Sequence, residues 1–269
     1  MTDAREIRVR AHELSPRIGD LAGNSSMIEA AIRDAAADGV ELLVLPELAT
    51  SGYYLRDAAE ARRVAIRADD GRLKDWAALL PATSVAVLGF AELDGERVYN
   101  SAAVLTSGGV RSVYRKTHLW DAEKEVFEPG SAPPELLDTP VGRLGVLICY
   151  DLEFPEMPRR LALAGADVLA VPTNWPLVPR PEGERAPEVV MAMAAARASG
   201  MAIVCADRSG EERGGVWTEG TTVIGPEGWP VGGKDERGRV DAVVRLDQDR
   251  HAIGPRNHLL EDRRPELYD

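Results

Sequence analysis

The spacing of apolar and polar positions changes several times along the chain, and each change marks an element. Residues 7–12 alternate as a half-buried strand. Asn24, Ser25 and Ser26 stand ahead of an alanine-rich run with helical spacing that reaches about residue 38. They are expected to cap a helix that Gly39 ends. Residues 41–45 are nearly all apolar, the pattern of a strand covered on both faces. Helical spacing returns over residues 57–67 and 73–80. Three strands are expected next, at 84–90, 99–105 and 110–114, with turns at Asp94-Gly95 and Gly108-Gly109.

The second half continues in the same style. Strands are expected at 144–149, 167–171, 202–206, 221–224 and 241–246, with helices at 156–164 and 187–199. A proline-rich loop over 175–185 is the expected mobile piece near a site. No repeat, low-complexity stretch or long linker interrupts the chain. Helices alternating with strands predict an α/β fold with mixed sheets. A length of 269 residues is compatible with one domain spanning 1–269.

Composition narrows the partners more than the fold. A net charge of −12 argues against nucleic acid and against an anionic membrane, since both are polyanions. Cys149 and Cys205 are the only cysteines, each inside an apolar run, so a disulfide framework is not expected and a reducing cytoplasm is. The opening MTDAREIRVRA is charged and lacks the apolar stretch of a signal peptide. No window is long and apolar enough to span a bilayer.

Three residues of chemical interest fall at or just beyond predicted strand ends: Glu47 after LLVLP, Lys116 after VYR, and Cys149 at the end of GVLIC. Ligands of open α/β folds gather beyond the carboxyl ends of strands, which gives this shared placement a physical reason. Singly, each has an ordinary explanation: a core cysteine, a solvated loop glutamate, a lysine reaching for water. Together they make a working set. A thiol with a pKa near 8.5 needs a base to become a nucleophile. A partly buried glutamate can serve as that base, and a neighbouring ammonium can stabilise an oxyanion.

The segments LPELATSGY, YRKTHLW followed by EKEVFEPG, and GVLICYDLEFPE resemble the three motif regions of the nitrilase, or carbon–nitrogen hydrolase, superfamily. Their order and separations match, and PTNWP, ADRSG and the RRPELY ending fit the same pattern. The resemblance implies a four-layer α-β-β-α sandwich and a cysteine-dependent amidase that needs no metal or organic cofactor. By the resemblance, Cys149 is the nucleophile, Glu47 the general base, and Lys116 the oxyanion stabiliser. Glu123 is the second glutamate, with Glu125 as its rival, and the Tyr150 N–H is a second oxyanion donor. Tyr53, Trp175 and Glu153 are expected to meet substrate. A homodimer is expected, with the tail from about residue 255 to 269 at its interface. Ala198-Ser199 departs from the Glu-Asn pair that many members carry before the next strand.

Other signals are set aside. The stretch from Gly228 to Lys234 nearly spells a phosphate loop, but Asp235 stands where a hydroxyl is needed, and a hairpin is expected instead. His251 and His258, separated by Gly254-Pro255, are expected on the surface rather than at a metal. Tyr150-Asp151 after the nucleophile, where true nitrilases usually carry Trp-Glu, points to an aliphatic amide, including an ω-amino amide toward which Glu153 and Glu156 would present negative charge. The alternatives are an ω-amidase or an N-carbamoyl amino acid hydrolase, each wanting a cation such as Arg180, Arg185 or Arg208. Outside these lie a catalytically silent binding protein and a Cys-His hydrolase using His118.

Overall fold

Alternation along the strands decides how the layers stack. The computed structural model describes residues 5–246 and 251–268; residues 1–4, part of the opening read above, and Asp269 of the tail lie outside them. In β1 (Arg5–His12), β2 (Leu42–Val44) and β3 (Val85–Asp94), one face carries Ile7, Val9, Leu42, Val44, Val85 and Val87. The opposite face of β2 and β3 carries Leu43, Ala86, Leu88 and Phe90. Both faces are apolar, so both have to be covered. The first packs against a second sheet. The other packs under α1 (Leu21–Ala37) and α3 (Gly71–Ala77), through Ile28, Ile32, Leu73 and Trp76.

The first sheet runs in the order β13-β1-β2-β3-β4-β5, with β4 at Arg97–Thr106, β5 at Gly109–Arg115 and β13 at Arg239–Leu246. Strands β1, β2 and β3 are parallel, and β3, β4 and β5 form an antiparallel meander. The second sheet runs β12-β9-β8-β7-β6, from β6 (Leu137–Thr139) and β7 (Gly142–Val146) through β8 (Val168–Pro172) and β9 (Ala202–Ala206) to β12 (Thr222–Ile224). Its central strands β7, β8 and β9 are parallel. The crossovers α5 (Glu156–Ala164) and α6 (Pro187–Ser199) cover its outer face through Leu161, Val189, Ala192 and Ala196. The result is the expected α-β-β-α sandwich. Shorter elements complete it: α2 (Ala58–Val64), α4 (Glu123–Val126), and two hairpins, β10 (Glu211–Glu212) with β11 (Gly215–Val216) and β14 (Ala252–Gly254) with β15 (Asn257–His258).

Several boundaries differ from the sequence reading. The cap of α1 is Asp20, whose Oδ1 accepts from the Gly23 N–H at 2.9 Å. Asn24 instead lies inside the helix, fully buried, with its amide group bonded to both backbone polar groups of Arg17 and to the Thr50 carbonyl. Its polarity serves a tertiary contact, and that is why it mimics a cap. The strand expected at 144–149 leaves its ladder after Val146, because the chain there turns into the site. Strand β6 was not foreseen; three residues carry too little pattern. The stretch from Gly228 to Asp235 folds as turns, with the Gly225 N–H donating to the Trp229 carbonyl at 2.8 Å and the Asp235 N–H to that of Arg239 at 2.9 Å.

Candidate active site

Strand ends deliver the three reactive residues to one place between the sheets. Glu47 follows β2 across Pro46, and Leu48 beside it holds a left-handed backbone with φ 49°. That segment lies directly on Gly89 of β3, where a Cβ would sit 2.4 Å from the Glu47 Cα and 2.5 Å from the Leu48 nitrogen. The Gly89 N–H donates to the Pro46 carbonyl and the Gly89 carbonyl accepts from Ala49, so the turn bearing Glu47 is stitched to β3. Lys116 follows β5, and its N–H donates to the Asn100 carbonyl of β4 at 2.8 Å. Cys149 opens a single 3-10 turn, Cys149–Glu153, after β7, again in the left-handed region at φ 47°. Two such backbones in non-glycine residues cost about 1–3 kcal/mol each, and surrounding structure has to hold them.

The side chains meet out of water. Glu47 and Lys116 are both 0% exposed. Lys116 Nζ donates to Glu47 Oε1 at 2.7 Å and to Glu123 Oε1 at 2.8 Å. Asn100 Nδ2 adds a 2.7 Å bond to the same Glu47 oxygen, and Asn174 Nδ2 donates to the Glu47 carbonyl at 2.8 Å. Glu47 Oε2 has no hydrogen-bond partner among the described residues. The Asn174 backbone N–H is directed at the Cys149 sulfur. The Tyr150 N–H stands in the first turn of the 3-10 segment, where a helix has no internal acceptor for it.

Burial sets the charges against one another. It pushes the Glu47 carboxyl up to about 7; Lys116 opposes this and Glu123 adds to it. Burial likewise pushes the Cys149 thiol well above its ordinary value, with Glu47 repelling the thiolate and Lys116 partly offsetting that. Lys116 feels desolvation in the opposite sense, yet Glu123 and Glu47 outweigh it and hold the ammonium firmly protonated. The set therefore contains a protonated thiol, a fixed cation and a carboxylate balanced near neutrality. It can move a proton from sulfur and stabilise an anion at Lys116.

The remaining sequence-predicted residues fall into two groups. Glu123 is buried and its Oε1 accepts from Lys116 Nζ, while Glu125 is exposed. Tyr53 turns its hydroxyl to Glu123 Oε1 at 2.7 Å, which makes it a support of that carboxylate. Trp175 is buried, its backbone N–H donating to Asp207 Oδ1 and its ring edge close over Gly220. Glu153 is half-buried, and burial and Glu188 together raise its carboxyl. Glu156 is exposed at the start of α5. The cations considered for a substrate carboxylate stand elsewhere: Arg180 and Arg185 are exposed, and Arg208 is buried on Glu212, the Pro16 carbonyl and the Trp217 ring. His118, offered above as a base, has its Nδ1 2.7 Å from Asp151 Oδ1 and its ring stacked 3.9 Å from that of Phe154. His251 is a correction. It is buried rather than on the surface, facing His258 across the β14–β15 hairpin with ring centroids 5.7 Å apart. Sequence reasoning missed Asn100, Asn174, Asp151 and Glu188. Asn174 had a signal, since it sits in the PTNWP segment; Asn100 had none, being one of several polar residues in β4.

The profile of the carbon–nitrogen hydrolase family matches residues 8–251. A nitrilase from Pyrococcus abyssi is 34% identical over 97% of this chain and 99% of its own length. An (R)-stereoselective amidase from a Pseudomonas species is 36% identical over 96% of this chain and 92% of its own. The crystal structure of an amidase from a Nesterenkonia species aligns with a TM-score of 0.78 at 29% identity, covering 97% of this chain and 95% of that one. A variant of the Nesterenkonia enzyme carries the acetamide moiety of fluoroacetamide joined to its active site cysteine. The chain belongs to the carbon–nitrogen hydrolase family. The solved structures it resembles are amidases of the nitrilase superfamily.

Proposed function

We propose that the chain hydrolyses a small linear amide to a carboxylic acid and ammonia through a thioester on Cys149. The observation that carries this reading is the buried set of Glu47, Lys116 and Glu123 around the thiol, with one Glu47 oxygen committed to Lys116 and the other unpartnered among the described residues. Glu47 takes the thiol proton as sulfur attacks the amide carbon. The tetrahedral oxyanion accepts from Lys116 Nζ and the Tyr150 N–H. Glu47 returns the proton to nitrogen, the carbon–nitrogen bond breaks and ammonia leaves. A water then attacks the thioester, giving its proton to Glu47; the acid departs and the thiol is restored. Cysteine attack is in keeping with the acetamide adduct of the Nesterenkonia amidase.

On substrate, the half-buried Glu153 and its neighbour Glu188 favour an amide bearing a positive group, such as an ω-amino amide, over one bearing a carboxylate. The commitment of Arg208 to Glu212 argues the same way against the ω-amidase and N-carbamoyl alternatives. Two buried cysteines without a disulfide suit a cytoplasmic location. The test is ammonia release across short amides, ω-amino amides, ureido acids and matched nitriles, with Cys149→Ala and Cys205→Ala proteins alongside. Cys149→Ala is expected to abolish turnover and Cys205→Ala, in the apolar centre of β9, to keep most of it. Amides should exceed matched nitriles in kcat/KM by about tenfold or more, close to 1.4 kcal/mol. Turnover by the Cys149→Ala protein would end the mechanism; equal rates on amide and nitrile would end the substrate assignment alone.

A further inference from the structure

One fully buried carboxylate near the site has no part in the steps above, yet it is the most heavily bonded side chain around the nucleophile. Asp151 stands two residues after Cys149 and is 0% exposed. Its Oδ1 accepts from Thr117 Oγ1 at 2.9 Å, from the His118 N–H at 3.0 Å and from His118 Nδ1 at 2.7 Å. A carboxylate has no proton to give, so the imidazole is the donor of that last bond. Its Oδ2 accepts from the Tyr114 hydroxyl at 2.9 Å and, back across the nucleophile, from the Ile148 N–H at 3.2 Å. The Asp151 N–H also donates to the Ile148 carbonyl at 3.0 Å.

These donors belong to two places only. Ile148 and Asp151 bracket Cys149, whose backbone is left-handed at φ 47°. Tyr114, Thr117 and His118 bracket Lys116, from the end of β5 into the loop beyond it. The stacking of His118 on Phe154 braces the same junction from outside. A single carboxylate thus closes the cysteine's turn upon itself and ties it to the segment that carries the lysine. A carboxamide cannot substitute, because its NH2 would face donors on one of the two sides.

We propose that Asp151 is a positioning residue that fixes the nucleophile in its left-handed turn and sets its separation from Lys116. The proposal rests on the reading of Cys149 as nucleophile and Lys116 as oxyanion donor. Its test uses the full chain with Asp151→Asn, and with Tyr114→Phe and Thr117→Val, each of which removes one donor and leaves the carboxylate. Two quantities are read below the unfolding range of every variant: kcat and KM on the best amide, and the rate at which iodoacetamide alkylates Cys149. Asp151→Asn is expected to lower kcat roughly a hundredfold with KM nearly unchanged, and each donor variant about tenfold, because misplacement by an ångström costs alignment rather than binding. Alkylation of Cys149 is expected to slow in the same order. If Asp151→Asn fails to fold, the two donor variants decide. Wild-type kcat and alkylation rate in Tyr114→Phe and Thr117→Val, or a kcat loss in Asp151→Asn that follows only the folded fraction, would overturn the proposal. Alkylation needs no turnover, so a Cys149→Ala protein that still releases ammonia would refute the functional reading separately.

Discussion

At the scale of single residues, the site depends on removing charge from water. Glu47 next to solvent would be an ordinary carboxylate, too weak a base to deprotonate a thiol. Burial pushes it up to about 7, which makes it a stronger base for the proposed proton transfer. Its folded value lies above its unfolded one, so its contribution to stability is fully present below the unfolded value and is lost as pH rises through about 7. Activity should move in the opposite direction, since the base works only when deprotonated. kcat/KM is expected to climb through pH about 7 and level off above it. Glu47→Gln should remove that limb and cost several orders of magnitude, roughly a thousandfold or more, in the chemical step. A pH-rate profile of both proteins checks this. His118→Ala, with the ring bonded to Asp151, should retain the limb centred on Glu47; a limb that vanishes with His118 instead would favour histidine as base.

At the scale of elements, the catalytic groups are placed by strands whose own requirement is burial. β2 and β3 lie side by side because both of their faces are apolar, and their contact brings the Glu47 turn onto Gly89. That approach leaves no room for a methyl group. Gly89→Ala would put a carbon 2.4 Å from the Glu47 Cα and 2.7 Å from the Pro46 carbonyl oxygen, and backbone on both sides would have to move. Overpacking of this kind costs about 1–3 kcal/mol, and a comparable displacement of the base costs about a hundredfold in rate. Calorimetry and kinetics on Gly89→Ala should therefore show a Tm lowered by several degrees together with a much larger fractional loss in kcat. A variant with a lowered Tm but wild-type kcat would show that the turn absorbs the methyl without moving Glu47.

At the scale of the whole molecule, the outer face of α5 and α6 remains apolar at several points. Leu163 and Val190 are each nearly half exposed, and the tail lays Tyr268, 63% exposed, beside the same helices, with Leu267 next to it in sequence also exposed. We propose that this face pairs two copies of the chain, with the tail contributing. Deletion of residues 263–269 is expected to weaken the dimer, and light scattering across a concentration series measures it. An intact chain that stays monomeric at micromolar concentration would contradict the pairing.

By itself the sequence determined the alternation of strands and helices and the two faces of the buried strands, and it singled out Glu47, Lys116 and Cys149, which the fold brings together. Burial periodicity is local, and the motifs around the trio are contiguous, so both can be read along the chain. What the sequence left open were groups whose meaning comes from partners far away in it. Glu123 and Glu125 are both acids in one short helix, and only the approach of Lys116 separates them. Asn24 reads as a cap until Thr50 arrives beside it. Asn100 stands beside Ser101 in β4 and Asp151 between Tyr150 and Leu152, with nothing local to mark them, and their bonds run to Glu47 and to the Lys116 segment. The tertiary structure also set the charge balance of Glu47: its carboxyl shifts to about 7 because packing excludes water around it, a property of the fold and not of any one segment.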